Sequence, residues 1–264
     1  MTLAQRGEGS ILPTLDHPHI IRAFGSDGWG TSQVEIVLNL MDGNLASLAY
    51  RLARPRDLLA KQVLRQMLRA LTHLSALGYV HRDIKPENIF FVRVGGLNDD
   101  NNKDDDYYDN GCSPLAYPFH FRLGDFGLCE HKSRIGPNEV HGTISFLAPE
   151  LLLGNGSSGG SGPGRCRRWG LRWQRQSHKS DVWALYVTVL WVLDLDTIWI
   201  AASLRGGRGD AYTFARNLAR RVNFDCRIGA LTPMAEVDPR RRASAGKMLD
   251  LLSDGTRIGE IEYS

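Results

Sequence analysis

Between positions 81 and 88 the chain reads His81-Arg82-Asp83-Ile84-Lys85-Pro86-Glu87-Asn88. Within six residues this places a carboxylate that can take a proton from a hydroxyl, an ammonium that can neutralise a transferring phosphoryl group, and a carboxamide that can hold Mg²⁺. Phosphoryl transfer needs these three kinds of group close together, because its catalysis consists almost entirely of positioning and charge stabilisation. A surface loop carries any two of them by chance, but not the whole string directly after an apolar helical stretch.

The elements that must position this loop can be read on either side of it. Residues 57–77 form the clearest amphipathic helix, with Leu59, Val63, Leu64, Met67, Leu68, Leu71 and Leu74 recurring at spacings of three and four. Residues 89–94 read as a strand and 119–123 as its hairpin partner, which would set Asn88 and Asp125 on adjacent strand ends facing one metal site. Earlier, residues 8–15 show helical spacing at Ile11, Leu12 and Leu15, with Pro13 as a blemish. Residues 19–24 and 33–41 are β-rich runs separated by the turn formers of 25–31.

Further strings extend this pattern in order along the chain. Asp125-Phe126-Gly127, Gly142-Thr143, Ala148-Pro149-Glu150, Asp181-Val182-Trp183 and Arg242 follow the octapeptide. Together they resemble the eukaryotic protein kinase family, serine/threonine type, over roughly residues 8–252. The resemblance implies an α+β, protein-kinase-like fold with a mainly helical large lobe and a β-rich small lobe cut short at its N-terminal side. It implies a small-lobe remnant at 1–41, a large catalytic lobe at 42–252 and a C-terminal tail at 253–264. By the same resemblance ATP and Mg²⁺ are the cofactors and a protein is the substrate. Asp83 would act as base, Lys85 would stabilise charge and Thr143 would bridge these two. Asn88 and Asp125 would hold the metal, with Phe126 and Gly127 completing the metal-binding triplet. The hinge at 38–44, including Leu40 and Met41, would meet adenine through backbone groups. Asp181 would brace the catalytic loop, and Arg242 would pair with Glu150. Arg82 would pair with a phosphate on the activation segment, for which Ser133 is the candidate acceptor, although Ser133 reads equally as a plain loop serine.

The same family places a Gly-rich loop and a strand lysine ahead of its small-lobe helix. Here no lysine precedes Lys61, which belongs to the long helix, so no phosphate-gripping lysine is assignable. Glu8, nine residues before His17, stands where that lysine's partner would be, and reads equally as an exposed acid between two glycines. Removing one preorganised electrostatic donor costs on the order of 100- to 1000-fold in rate. Two alternatives to a working enzyme therefore stay open: a pseudokinase-like scaffold and a nucleotide-binding module.

Composition fits a soluble globular chain: 264 residues, 42% hydrophobic and 23% charged, with a net charge of +3 too small to argue for nucleic acid or membrane partners. Oligomeric state is not legible. Cys112, Cys129, Cys166 and Cys226 form no C-x-x-C pair and read as free thiols of an intracellular, cytoplasmic or nuclear setting. No signal peptide is apparent at the N-terminus. The apolar run 182–202 contains Asp194 and Asp196, each costing about 2.5 to 3.5 kcal/mol near a span centre, so it reads as a buried helix. Two insertions depart from the family pattern. Residues 95–118 are acidic, lack the Gly and Glu positions of a calcium loop, and read as solvated and disordered. Residues 154–178 pass from Gly and Ser to Arg and Trp and read as a surface loop that would not bind phosphate.

Overall fold

A computed structural model describes residues 7–28, 34–52, 56–93, 119–136, 139–152, 175–193, 208–222 and 226–253. A π-helical turn, Gly7–Ile11, and a 3-10 turn, Leu12–Thr14, precede strands β1 (Ala23–Asp27) and β2 (Glu35–Leu38), which pair antiparallel. The regular helical spacing of 8–15 thus yields only short irregular turns, because Gly7, Gly9 and Pro13 undercut an α-helix. Strand β3 (Gly43–Asn44) leads into helix α1 (Leu45–Arg51), where the Asn44 side chain accepts the Ser47 N–H at 2.9 Å as an N-cap.

Helix α2 (Asp57–Ala76) forms as its periodicity requires. Leu59, Val63, Leu64, Met67, Leu68, Leu71 and Leu74 are all buried on one face. That face packs against helix α4 (His178–Val192), helix α6 (Ala245–Ser253) and strand β6 (Phe119–Leu123). Each fully buried Leu or Phe contributes about 1.5–3 kcal/mol relative to exposure, so this face is the backbone of the core. Helix α4 is buried on nearly all sides, which explains its uninterrupted apolar sequence. It ends at Val192 with Leu193 as its C-cap; residues 194–202 of the run expected as one buried helix lie outside the described residues. No helix among the described residues is long and apolar enough to cross a membrane.

Strand β5 (Ile89–Arg93) pairs antiparallel with β6 from Ile89↔Leu123 to Arg93↔Phe119, and β3 joins the other edge of β5. Beyond that register the Gly124 N–H donates to the Asn88 carbonyl at 2.9 Å, so the chains leave the sheet side by side at Asn88 and Asp125. Strands β4 (Tyr79–Val80) and β7 (Glu130–His131) pair antiparallel just before the 81–88 loop begins. Helices α3 (Pro149–Leu152) and α5 (Arg208–Arg221) complete the large lobe. The expected strand at 19–24 is divided: Ile20 forms an isolated bridge with Leu123, and β1 starts at Ala23. The insertion at 95–118 lies outside the described residues, as do 154–174 of the second insertion. Cys129 is a buried free thiol whose pKa burial pushes up. Cys112, Cys166 and the Cys226 side chain lie outside the described residues.

Candidate active site

The loop after β4 is held from behind by helix α4. Ser177 and Ser180 form a capping box at its N-terminus, which places Asp181 in the first turn. The Asp181 carboxylate accepts the backbone N–H groups of His81 at 2.8 Å and Arg82 at 3.0 Å. Burial pushes the Asp181 pKa up to about 7 despite those two donors and the nearby Arg82 charge. Arg82 adopts φ +73°, a conformation non-glycine residues seldom take and one that persists only where the surroundings enforce it.

His81 is fully buried, and desolvation lowers its pKa to about 4. Its Nδ1 accepts the Asp83 N–H at 3.3 Å, so the proton sits on Nε2 and is donated to the Gly124 carbonyl at 3.0 Å. The ring meets Phe126 edge-on, with centroids 4.9 Å apart. This neutral imidazole ties the loop to the strand end that carries Asp125, and it has no free nitrogen for proton transfer.

Asp83 is the centre of the arrangement. Its Oδ1 accepts from the Thr143 hydroxyl at 2.8 Å and the Thr143 N–H at 3.0 Å. Its Oδ2 accepts from Lys85 Nζ at 2.7 Å and Asn88 Nδ2 at 3.1 Å. Burial raises the Asp83 pKa, but the hydrogen bonds from Lys85 and Thr143 and the Lys85 charge outweigh it, so the carboxyl lies below its ordinary value and is ionised at neutral pH. Lys85 Nζ also donates to the Thr143 hydroxyl at 3.1 Å, closing a three-residue ring. Thr143 reaches Asp83 because Gly142 (φ +111°) runs against the loop; a Cβ there would stand 2.2 Å from the Arg82 carbonyl oxygen.

Asp125 takes a left-handed backbone conformation (φ +57°) and is exposed, while Phe126 after it is fully buried and Gly127 partly so. Asn88 turns its amide nitrogen to the Asp83 carbonyl at 2.9 Å, which leaves its oxygen for a cation. Asp125 and Asn88 together offer hard oxygen donors, which suits Mg²⁺ completed by water and phosphate oxygens. Among the described residues no group of three His, Cys, Asp or Glu gathers into a protein-only metal cage.

Glu8 is also drawn to this strand end. Gly7 lies so close to Phe126 that a Cβ would fall 1.8 Å from its carbonyl oxygen. Burial, then the Asp125 charge, raises the Glu8 pKa. Leu40 is 95% exposed and Met41 packs partly against the core, so neither side chain closes a pocket and any nucleotide contact there is left to the backbone. Ser133 is exposed, with its hydroxyl 2.7 Å from His131 Nδ1. Arg82 Nε donates to the Leu128 carbonyl, while its two terminal nitrogens are buried without a hydrogen-bond partner among the described residues. Arg242 reaches Glu150 with two bonds of 2.8 Å, as the sequence suggests. Sequence reasoning did not find Gln176, whose side chain grips the backbone of His141. Its partners are main-chain atoms, so no pattern of residue types announces it.

Comparison with known proteins gives a consistent result. The family model described as the protein kinase domain matches residues 4–250. A serine/threonine-protein kinase of Drosophila simulans is 29% identical over 147 residues, covering 55% of this chain and 17% of that protein. Sporulation protein kinase mde3 of Schizosaccharomyces pombe is 33% identical over 127 residues, 46% of this chain and 20% of its own length. Serine/threonine-protein kinase AtPK1/AtPK6 of Arabidopsis thaliana is 29% identical over 154 residues, 57% of this chain and 28% of its own. The chain therefore spans well under a third of these relatives. A chain of the yeast RNA Pol II CTD kinase CTDK-1 complex matches 98% of this chain and 84% of its own length, with a TM-score of 0.66 at 14% identity, a likeness of fold.

Proposed function

The chain belongs to the protein kinase family, serine/threonine type, and from that premise we propose that it transfers the γ-phosphoryl group of ATP to a serine or threonine hydroxyl of a protein substrate. The observation that carries this reading is the Asp83 carboxylate, ionised and flanked at hydrogen-bond distance by Lys85 and Thr143. An acceptor hydroxyl at Asp83 hands its proton to that carboxylate as its oxygen bonds to the γ-phosphorus, and the bond from that phosphorus to the bridging oxygen breaks to release ADP. Lys85, 2.7 Å from Asp83, carries positive charge to the place where negative charge grows on the phosphoryl oxygens. Thr143 fixes both groups. Asp125 and Asn88 would hold Mg²⁺, which when bound would neutralise the nucleotide phosphates. Leu40 and Met41 would meet adenine through main-chain groups, and Phe126 and Gly127 follow Asp125 and fix its direction.

In this reading residues 1–41 belong to the small lobe, 42–252 to the catalytic lobe and 253–264 to a tail, in an intracellular protein. A phosphate on Ser133, paired with Arg82, would order the activation segment; the Arg82 terminal nitrogens, which make no hydrogen bond among the described residues, support this.

One observation favours a second reading, a nucleotide-binding module or scaffold that does not transfer phosphate. Glu8 faces the like charge of Asp125, and among the described residues no cation stands against it. Incubation with radiolabelled ATP, Mg²⁺ and a protein acceptor separates the two. Label in the acceptor, lost with Asp83→Asn, supports transfer; thermal stabilisation by Mg²⁺-ATP with no label supports the module.

A further inference from the structure

The N-terminus of helix α4 touches the catalytic machinery at two places. Asp181, in the first turn, holds the His81 and Arg82 N–H groups. Gln176, one residue before the N-cap Ser177, holds the activation segment: its Oε1 accepts the His141 N–H at 3.0 Å and its Nε2 donates to the His141 carbonyl at 2.7 Å. Gln176 is 3% exposed, so its amide has no water to fall back on. From His141 the chain passes through Gly142, pressed on the Arg82 carbonyl, to Thr143, whose N–H and hydroxyl both bond Asp83 Oδ1. One helix end therefore grips both strands of chain that must meet at the base.

We propose that Gln176 is a positioning residue, which sets Thr143 against Asp83 by clamping the two backbone polar groups of His141 to the end of helix α4. The proposal rests on the reading of Asp83 as catalytic base. It goes beyond that reading in making the Asp83–Thr143 spacing depend on a side chain that touches neither residue. An amide suits the task because it offers one acceptor and one donor side by side, matching a peptide's N–H and C=O. An ionised carboxylate at this position would repel the His141 carbonyl, whereas a protonated one would mimic the amide.

The test uses the full chain as wild type, Gln176→Ala and Gln176→Glu, with hydrogen exchange at the 141–143 amides read beside phosphate transfer from ATP to casein. In Gln176→Ala those amides exchange about 10-fold faster or more, as expected for loss of hydrogen bonds, while exchange within α4 is unchanged. Transfer falls in kcat by about 10- to 100-fold with KM for ATP within about 2-fold, the signature of misplacement. Gln176→Glu resembles Gln176→Ala at pH 8, where an ionised carboxylate accepts the His141 N–H but cannot donate to its carbonyl. Equal protection of 141–143 in wild type and Gln176→Ala overturns the proposal, as does wild-type protection and kcat in Gln176→Glu at pH 8. If Gln176→Ala does not fold, Gln176→Glu at pH 8 alone decides. If the wild type transfers nothing, the kinase reading falls, and the exchange data still decide whether the clamp exists.

Discussion

Arg242 and Glu150 meet through two parallel hydrogen bonds of 2.8 Å, with side-chain exposures of 0% and 2%, across 92 residues of sequence. The guanidinium is further satisfied by the carbonyls of Glu236 and Lys179 and lies over the Trp183 ring, 5.1 Å from its centroid. Desolvating two charges is costly, and only a pair with every donor engaged offsets it. The pair joins helix α3, which carries Glu150, to the chain entering helix α6.

Replacing Arg242 with Ala leaves Glu150 charged and buried, and the expected loss is about 3–5 kcal/mol of unfolding free energy. Urea denaturation of the two proteins measures it. A loss below 1 kcal/mol would show that the pair is not desolvated as described.

Asp83→Asn removes the proton acceptor but keeps a side chain of the same shape beside Lys85 and Thr143. Transfer should fall by about 100- to 10,000-fold, while Mg²⁺-ATP affinity stays within a few-fold. Calorimetric titration beside the transfer assay separates the two effects; lost nucleotide affinity would refute the assignment of Asp83 as base.

Acid should loosen the site through His81. Its folded pKa, about 4, lies below the ordinary 6.5, so the unfolded chain takes up this proton first. The stability contribution is complete above pH 6.5 and is lost as pH falls toward 4, by up to about 1.4 kcal/mol per pH unit. Asp181, raised to about 7 in the fold, acts with the opposite sign, losing stability as pH rises through 7. The difference in stability between wild type and His81→Gln, followed from pH 4 to 7, isolates the histidine and should grow with pH.

Thr143→Val deletes the hydroxyl that joins Asp83 to Lys85 and keeps the shape. A hydrogen bond to a charged group contributes about 1.5–3 kcal/mol, so kcat should drop by roughly 10- to 100-fold. Steady-state kinetics with a serine acceptor test it.

Ser133→Ala should lower transfer in a preparation whose activation segment is otherwise phosphorylated. One charge-assisted bond of about 1.5–3 kcal/mol sets the scale at ~10-fold or more. Unchanged transfer would remove Ser133 from the regulation of Arg82.

What the sequence reveals and what it hides follow from where each determinant lies. Asp83, Lys85 and Asn88 occupy one short string, and their gathering is legible because contiguous residues keep their spacing whatever the fold. Helix α2 was equally legible, since its burial pattern repeats many times. The Gly7–Ile11 turn was less so: apolar spacing at Ile11, Leu12 and Leu15 outvoted glycines whose cost appears only when the helix must stand alone. The Gln176 clamp left no trace, because it acts on main-chain atoms that every residue possesses. Leu40 shows the same limit, since an exposed side chain says nothing about the peptide groups beside it.

The bond from Asp181 to the His81 N–H closes a loop of 100 residues. Contacts so distant in sequence must wait until chain entropy has been overcome elsewhere. The shape of the octapeptide therefore depends on helix α4 being docked behind it. A fragment ending before Asp181 would contain Asp83, Lys85, Asn88, Asp125 and Thr143 and lack the fastening that holds the loop behind them.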